Sequence, residues 1–280
     1  MLRFRSRPGR SRAGRIALLV VFGALLINQR AARRSRSSAG APANPAHAGS
    51  TEKYKPAGDE GLGASIALLL DQSGSMAANA KGDKRPKYVV AREALNALLE
   101  ATDSFVARQP GFPVNVGLYT FSGDVKRIVP VKPYSHAELA SALASLARPD
   151  GATAIGDAMD LARQDLYRAG TIRKYILVIT DGENTNGRSP EAVAREIDAR
   201  SEGAVRQFFV AFDVDAKQFA FLRSVRGEVL GAANGDALRA SLDTIYRGRI
   251  LAEAMNAGET LPPARSDAKR DSGTSKGKKQ

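Results

Sequence analysis

The chain has no cysteine among its 280 residues, which excludes disulfides, thiolate metal ligands and a thiol nucleophile. This absence does not fix the compartment, because a chain of this length can be stable without covalent staples. Tryptophan is also missing and aromatic residues make up only 6%, so the stacking platforms that bind single-stranded nucleic acid are scarce. Histidine occurs only as His47 and His136, which leaves two imidazoles as candidate general bases. One falls in a Pro/Ala-rich stretch and the other opens a predicted helix, where a surface polar role is the simpler reading. No Gly-x-x-x-x-Gly-Lys-Ser/Thr loop is present, so a nucleotide site of that type is excluded.

Hydrophobic residues are plentiful at 43%, enough for a sizeable core in one large domain. The formal net charge of +13 is concentrated at the ends of the chain. Residues 1–58 hold twelve Lys/Arg against one acid, and residues 257–280 hold six against three, which leaves residues 59–256 at −1. The central region therefore lacks the basic surplus that a nucleic-acid groove requires, and no nucleic acid is expected as a partner.

Residues 1–15 form a basic N-terminus, with six arginines preceding an uncharged apolar run at 16–27. Twelve helical residues span about 18 Å, short of a hydrocarbon core of roughly 30 Å, which favours a signal-peptide core. The flank argues the other way. Asn28-Gln29-Arg30 follows directly, and the small-residue site Ala46-His47-Ala48 lies too far downstream for ordinary cleavage. The segment 16–30 is read as an uncleaved signal anchor or transmembrane segment, with a cleaved signal and a soluble basic arm as alternatives. More arginine before the run than after it places the N-terminus in the cytoplasm and the domain outside the inner membrane of a bacterium, in the periplasm. Residues 31–58, rich in Ser, Ala, Gly and Pro, read as a flexible linker, and residues 257–280 as a disordered basic tail.

The chemistry concentrates where strands end. Residues 66–70 are five apolar residues without alternation, as in a strand buried on both faces, and they run into Asp71-Gln72-Ser73-Gly74-Ser75-Met76. Asp71, Ser73 and Ser75 place one carboxylate and two hydroxyls at alternate positions, hard ligands that suit Mg²⁺ or Mn²⁺ better than zinc. A threonine follows in the Gly-flanked loop Gly151-Ala152-Thr153-Ala154-Ile155-Gly156. A second apolar strand, 175–180, then ends in Asp181-Gly182-Glu183-Asn184.

The succession Asp-x-Ser-Gly-Ser, Gly-x-Thr-x-Ile-Gly and Ile-Thr-Asp-Gly resembles the von Willebrand factor type A (vWA) domain with its metal-ion-dependent adhesion site (MIDAS). The resemblance covers roughly residues 59–252, within a domain read as 59–256. It implies that Ser73 and Ser75 bind the cation directly, that Thr153 joins them directly or through water, and that Asp71 and Asp181 act largely through water. It also implies a doubly wound, Rossmann-like α/β sandwich with a mostly parallel six-stranded sheet and one antiparallel edge strand. A cation held mainly by neutral hydroxyls and water keeps much of its charge, and so can attract an outside carboxylate.

The rest of the pattern agrees with that architecture. Helices are expected at 88–106, 137–147, 155–168, 190–200 and 237–254, and strands at 114–121, 125–129, 208–212 and 229–230. The strands 114–121 and 125–129 are separated by only three residues and must form an antiparallel hairpin. Ligands of such sheets bind outside the carboxyl ends of the strands, where Asp71 and Asp181 fall. The functional expectation is a membrane-tethered protein-binding module, not an enzyme. Its partner is a protein offering an Asp or Glu carboxylate, with Lys81, Lys84 and Arg85 flanking the contact and no small-molecule substrate. The rivals are a Mg²⁺-dependent hydrolase or phosphatase, which wants a carboxylate where Ser73 stands, and a metal-independent assembly scaffold. Asp213, Asp215, Glu183 and Asn184 are read as loop-shaping or capping residues.

Overall fold

The computed structural model describes Tyr54 and residues 60–253. The basic N-terminus, the apolar segment 16–30, most of the linker 31–58 and the tail 257–280 lie outside the described residues. Among the described residues no helix is long and apolar enough to cross a membrane.

Six strands form one sheet in the order β3-β2-β1-β4-β5-β6. They are β1 (Gly61–Asp71), β2 (Val114–Phe121), β3 (Val125–Pro133), β4 (Thr171–Thr180), β5 (Val205–Phe212) and β6 (Glu228–Ala232). All neighbours pair in parallel except β2 and β3, which form the antiparallel hairpin at one edge. The expected six-stranded, mostly parallel sheet with a single antiparallel edge strand is thus the observed one.

The continuous apolar run of β1 reflects burial on both sides. Ile66, Leu68 and Leu70 join one core layer, while Ala67 and Leu69 join the other, all at 2% exposure or less. Helices α1 (Lys87–Arg108), α2 (His136–Ala144) and α5 (Gly235–Ile245) supply residues to the first layer. Helices α3 (Ile155–Leu166) and α4 (Pro190–Ser201) and a short 3₁₀ stretch, Ala216–Val225, supply the second. At about 1.5–3 kcal/mol for each fully buried Leu, Ile or Phe, these two layers are the dominant stabilising contribution.

The chain leaves β1 through α1 on one face to reach β2, and later returns through α3 on the other face to β4. The connections therefore diverge between β1 and β4, which makes that pair the switch point of the sheet, where a crevice opens beyond the strand ends. Leu70 pairs with Ile179, so Asp71 emerges level with Thr180 at this point and Asp181 follows one residue further along.

The opposite end of the sheet carries a different cluster. Lys174 is 1% exposed, and its ammonium donates to the Glu60 carboxylate and to the Thr171 carbonyl. Tyr54, within the stretch read as linker, lies over that ammonium at 5.0 Å and against the ring of Tyr167 at 4.4 Å. The last expected helix is present through Glu253, but it is not a regular α-helix throughout. After Ile245 the turns widen into a π-helical segment, Tyr246–Leu251, whose first residue bonds the hydroxyl of Thr102 at 2.7 Å.

Candidate metal centre at the carboxyl ends of β1 and β4

Asp71 is fully buried and its two oxygens are separately engaged. Oδ1 accepts the Ser73 N–H at 2.7 Å, which folds the chain back into a tight turn, and Oδ2 accepts the Thr180 hydroxyl at 2.6 Å from the tip of β4. Burial pushes the Asp71 carboxyl up to about 6, against the lowering effect of these two hydrogen bonds. A carboxylate held this way lacks compensating charge, a deficit that a cation would fill.

The next two hydroxyls continue the array. Ser73 Oγ and Ser75 Oγ lie 3.1 Å apart, and Ser75 Oγ donates to Asp181 Oδ1 at 2.7 Å. Ser73 is buried and Ser75 exposed, so the array runs from the interior to the surface.

Thr153 reaches this edge through its loop. Gly74 N–H donates to Gly151 carbonyl at 3.0 Å and Asp150 N–H to Gln72 carbonyl at 2.9 Å, stitching the threonine loop to the first loop. The Thr153 N–H donates to the Thr185 hydroxyl at 2.9 Å, and its carbonyl accepts Thr185 N–H and Asn186 N–H at 2.9 and 3.1 Å. Thr153 is 5% exposed, and among the described residues its hydroxyl makes no hydrogen bond to the other four side chains. The structure therefore links Asp71, Ser73, Ser75 and Asp181 through hydrogen bonds and brings Thr153 alongside by its backbone.

Asn184 does more than shape its own loop. Its Oδ1 accepts Ile155 N–H at 2.8 Å and Gly156 N–H at 3.4 Å, capping α3 from another segment, while Nδ2 donates to the Asn186 and Arg188 carbonyls. The contact demands glycine at 156, where a Cβ would stand 2.1 Å from the Arg188 carbonyl oxygen. Asp215 caps the 3₁₀ stretch, accepting Lys217 N–H at 2.9 Å, as its sequence context implies.

Sequence reasoning missed Lys87. Its ammonium lies 3.0 Å from Asp181 Oδ2 and 3.2 Å from Asp213 Oδ2. Burial opposes its charge, but the two carboxylates outweigh burial and hold it above the ordinary lysine value. The available signal was its place as the first residue of α1, at the positive end of the helix dipole, where an unpaired cation is unfavourable. Of the three cations expected to flank the site, Lys81 and Lys84 are exposed, whereas Arg85 is engaged by Asp83 and Glu93 at 2.5 and 2.6 Å.

All the donors are oxygen, two carboxylates and three hydroxyls, a set that fits a hard divalent cation. Among the described residues no three His, Cys, Asp or Glu side chains cluster, so a cation here would rely on hydroxyls. A polar groove of about 290 Å³ opens beside the array, lined by Gln72, Ser122, Asp124, Lys126, Arg148 and Asp150 among others. A larger groove of about 360 Å³ lies between α1 and α5 at Ala94, Leu98 and Tyr246, away from these carboxylates.

Residues 66–183 match the family model described as von Willebrand factor type A domain. No curated protein sequence matches the chain. Among solved structures, the PilB minor pilin from Streptococcus sanguinis is similar at 14% identity and a TM-score of 0.57, covering 71% of this chain and 63% of the pilin. BatB from Bacteroides thetaiotaomicron is similar at 17% identity and a TM-score of 0.53, covering 68% of this chain and 99% of BatB. Proximal thread matrix protein 1 from the mussel byssus, in a form with a zinc-occupied MIDAS motif, is similar at 20% identity and a TM-score of 0.51, covering 69% of this chain and 46% of that protein. The chain spans less than two thirds of the length of the pilin and of the byssus protein. Sheet order, the antiparallel edge and the matched residues agree: the α/β domain of this chain has the von Willebrand factor type A fold, with the family's sequence pattern running from within β1 to just past β4.

Proposed function

We propose that this protein is a binding module whose strand-tip array is a metal-ion-dependent adhesion site, formed by Asp71, Ser73, Ser75, Thr153 and Asp181. The observation that carries the reading is the continuous oxygen array from buried Asp71 through Ser73 and Ser75 to Asp181 at the switch point of the sheet. A divalent cation bound there, Mg²⁺ or Mn²⁺, supplies an electrophilic position that a carboxylate from outside can occupy. The protein's part is preorganisation. Thr180 and the Ser73 amide fix Asp71, Ser75 orients one oxygen of Asp181 and Lys87 the other, and the threonine loop is tied to both neighbouring loops.

The partner is a protein presenting an Asp or Glu side chain, with the adjacent polar groove receiving the flanking residues. In that groove Asp124, Lys126, Arg148 and Asp150 have no ion-pair partners among the described residues, so their charges are free for a mixed-charge segment. Binding is favoured over hydrolysis because Ser73 stands where a phosphatase of this topology needs a second carboxylate. His136 is engaged by Asp103 at 2.7 Å and by Tyr134 at 3.3 Å at the start of α2. The byssus neighbour, with zinc at its motif, is in line with a divalent cation at this strand edge. The arginine-flanked apolar segment 16–30 supports a membrane tether, with the domain in the periplasm of a bacterium.

Titration of Mg²⁺ and Mn²⁺ into the purified protein by calorimetry tests the reading. Saturable binding is expected, and Asp71→Ala should abolish it. Capture of partners on the immobilised protein should then be lost in EDTA. An absence of cation binding by the wild type, even with an added carboxylate such as glutamate, rejects the metal site. Turnover of a phosphomonoester that requires Asp71 would instead establish the hydrolase.

A further inference from the structure

Lys87 is placed where simple electrostatics argues against it. It is the first residue of a 22-residue helix whose first turn contains no acidic residue, at the end where the peptide dipoles present positive charge. Its side chain is only 11% exposed, so water does not carry its solvation. The compensation comes from two other elements, Asp181 past the tip of β4 and Asp213 past the tip of β5, at 3.0 and 3.2 Å. Asp213 adopts a left-handed backbone, φ 55°, a conformation that aspartate takes more readily than most residues with a Cβ. Its N–H is bound to the Ala232 carbonyl at 2.7 Å. The oxygens of Asp181 are thereby divided, Oδ1 to the Ser75 hydroxyl and Oδ2 to the ammonium.

We propose that Lys87 is a built-in counter-cation of the metal centre, holding Asp181 in position before a divalent cation arrives and weakening that cation's binding by repulsion. The inference rests on the metal-binding reading above. Two carboxylates against one ammonium leave this corner with a single negative charge, where a pair without Lys87 would carry two. The centre therefore stays assembled when empty, exchanges its cation readily, and is filled firmly only when an incoming carboxylate adds negative charge. Metal and partner binding are cooperative because the cation and the incoming carboxylate attract each other, and the fixed charge of Lys87 keeps the cation's affinity low until that carboxylate arrives.

The test compares Mn²⁺ affinity by calorimetry in the purified full chain for wild type, Lys87→Gln, Lys87→Arg and Asp213→Asn. Lys87→Gln is expected to bind Mn²⁺ roughly tenfold tighter or more, because the repelling charge is gone and an uncompensated carboxylate pair remains. Lys87→Arg keeps the charge and should stay within about twofold of wild type, while Asp213→Asn should bind Mn²⁺ several-fold more weakly. Lys87→Gln should also melt at a lower temperature in EDTA and gain more from a fixed Mn²⁺ concentration than wild type does, whereas a packing defect that leaves the affinity alone would gain the same amount as wild type. If Lys87→Gln does not fold, the double variant Lys87→Gln with Asp213→Asn, which removes one charge of each sign, decides the matter, because it should bind Mn²⁺ more tightly than Asp213→Asn alone. Equal Mn²⁺ affinity in all four proteins overturns the counter-cation role and leaves the metal site standing. No Mn²⁺ binding in any of them, with glutamate present, overturns both.

Discussion

Asp71→Asn should stabilise the metal-free protein at neutral pH, although it removes a central residue of the candidate site. Burial raises the Asp71 carboxyl from the ordinary 3.8 to about 6. Each tenfold change in proton affinity is worth about 1.4 kcal/mol, so the ionised side chain subtracts about 3 kcal/mol from folding stability. The sign follows from proton binding. The folded chain holds this proton more tightly than the unfolded one, so stability rises as pH falls from about 6 to about 4, and the penalty is fully present above pH 6. Asparagine escapes the penalty and keeps the geometry. Its carbonyl can accept the Ser73 N–H, and its amide can donate to the Thr180 hydroxyl, which has the Gly182 carbonyl at 3.2 Å as an alternative acceptor. Urea unfolding in EDTA between pH 4 and 8 should show the variant more stable by up to about 3 kcal/mol at pH 8 and equal to wild type near pH 4. Mg²⁺ at a hundredfold excess over its dissociation constant should raise the wild type alone by about 2.7 kcal/mol and close the gap. A variant no more stable than wild type at pH 8 in EDTA would refute the argument that an uncompensated buried charge marks this site.

Gly156→Ala should cost about 1–3 kcal/mol in urea unfolding, because its Cβ would meet the Arg188 carbonyl oxygen at 2.1 Å and one loop must shift. The same substitution should weaken Mn²⁺ binding in calorimetry, since that contact couples the Thr153 loop to the loop after Asp181. At the other end of the sheet, Glu60→Ala should cost roughly 3 kcal/mol in the same unfolding assay, because it strips the buried Lys174 ammonium of its carboxylate. Cation affinity there should be unchanged, which separates stability from the site.

Much of the fold is legible in the chain because strands buried on both faces have a plain signature, the unbroken apolar runs of β1, β4 and β5. The three-residue separation of β2 and β3 likewise left an antiparallel hairpin as the only geometry. The boundaries were less legible. β1 begins at Gly61 and β4 at Thr171, upstream of their apolar runs, because backbone pairing continues through the glycines and Ser65 of β1 and through Arg173 and Lys174 of β4. The 3₁₀ stretch Ala216–Val225 has no clean helical period, since it is held by Phe219, Leu222 and Val225 packing into the second core layer.

At the site, the sequence determined which oxygens are offered, because Asp71, Ser73 and Ser75 alternate over a few residues and Asp181 ends its own apolar strand. Local chemistry of that kind is written in order along the chain. Only the tertiary structure decided which neighbours those oxygens meet. Lys87, Thr180, Asn184 and Asp213 stand far apart in sequence from the groups they hold, and each acts through a contact made by the sheet order. Lys87 reads in the sequence as one more surface cation near a helix start. The placement of the start of α1 beside Asp181 and Asp213 turns it into the buried charge that faces Asp181, because a charge is defined energetically by what surrounds it in space.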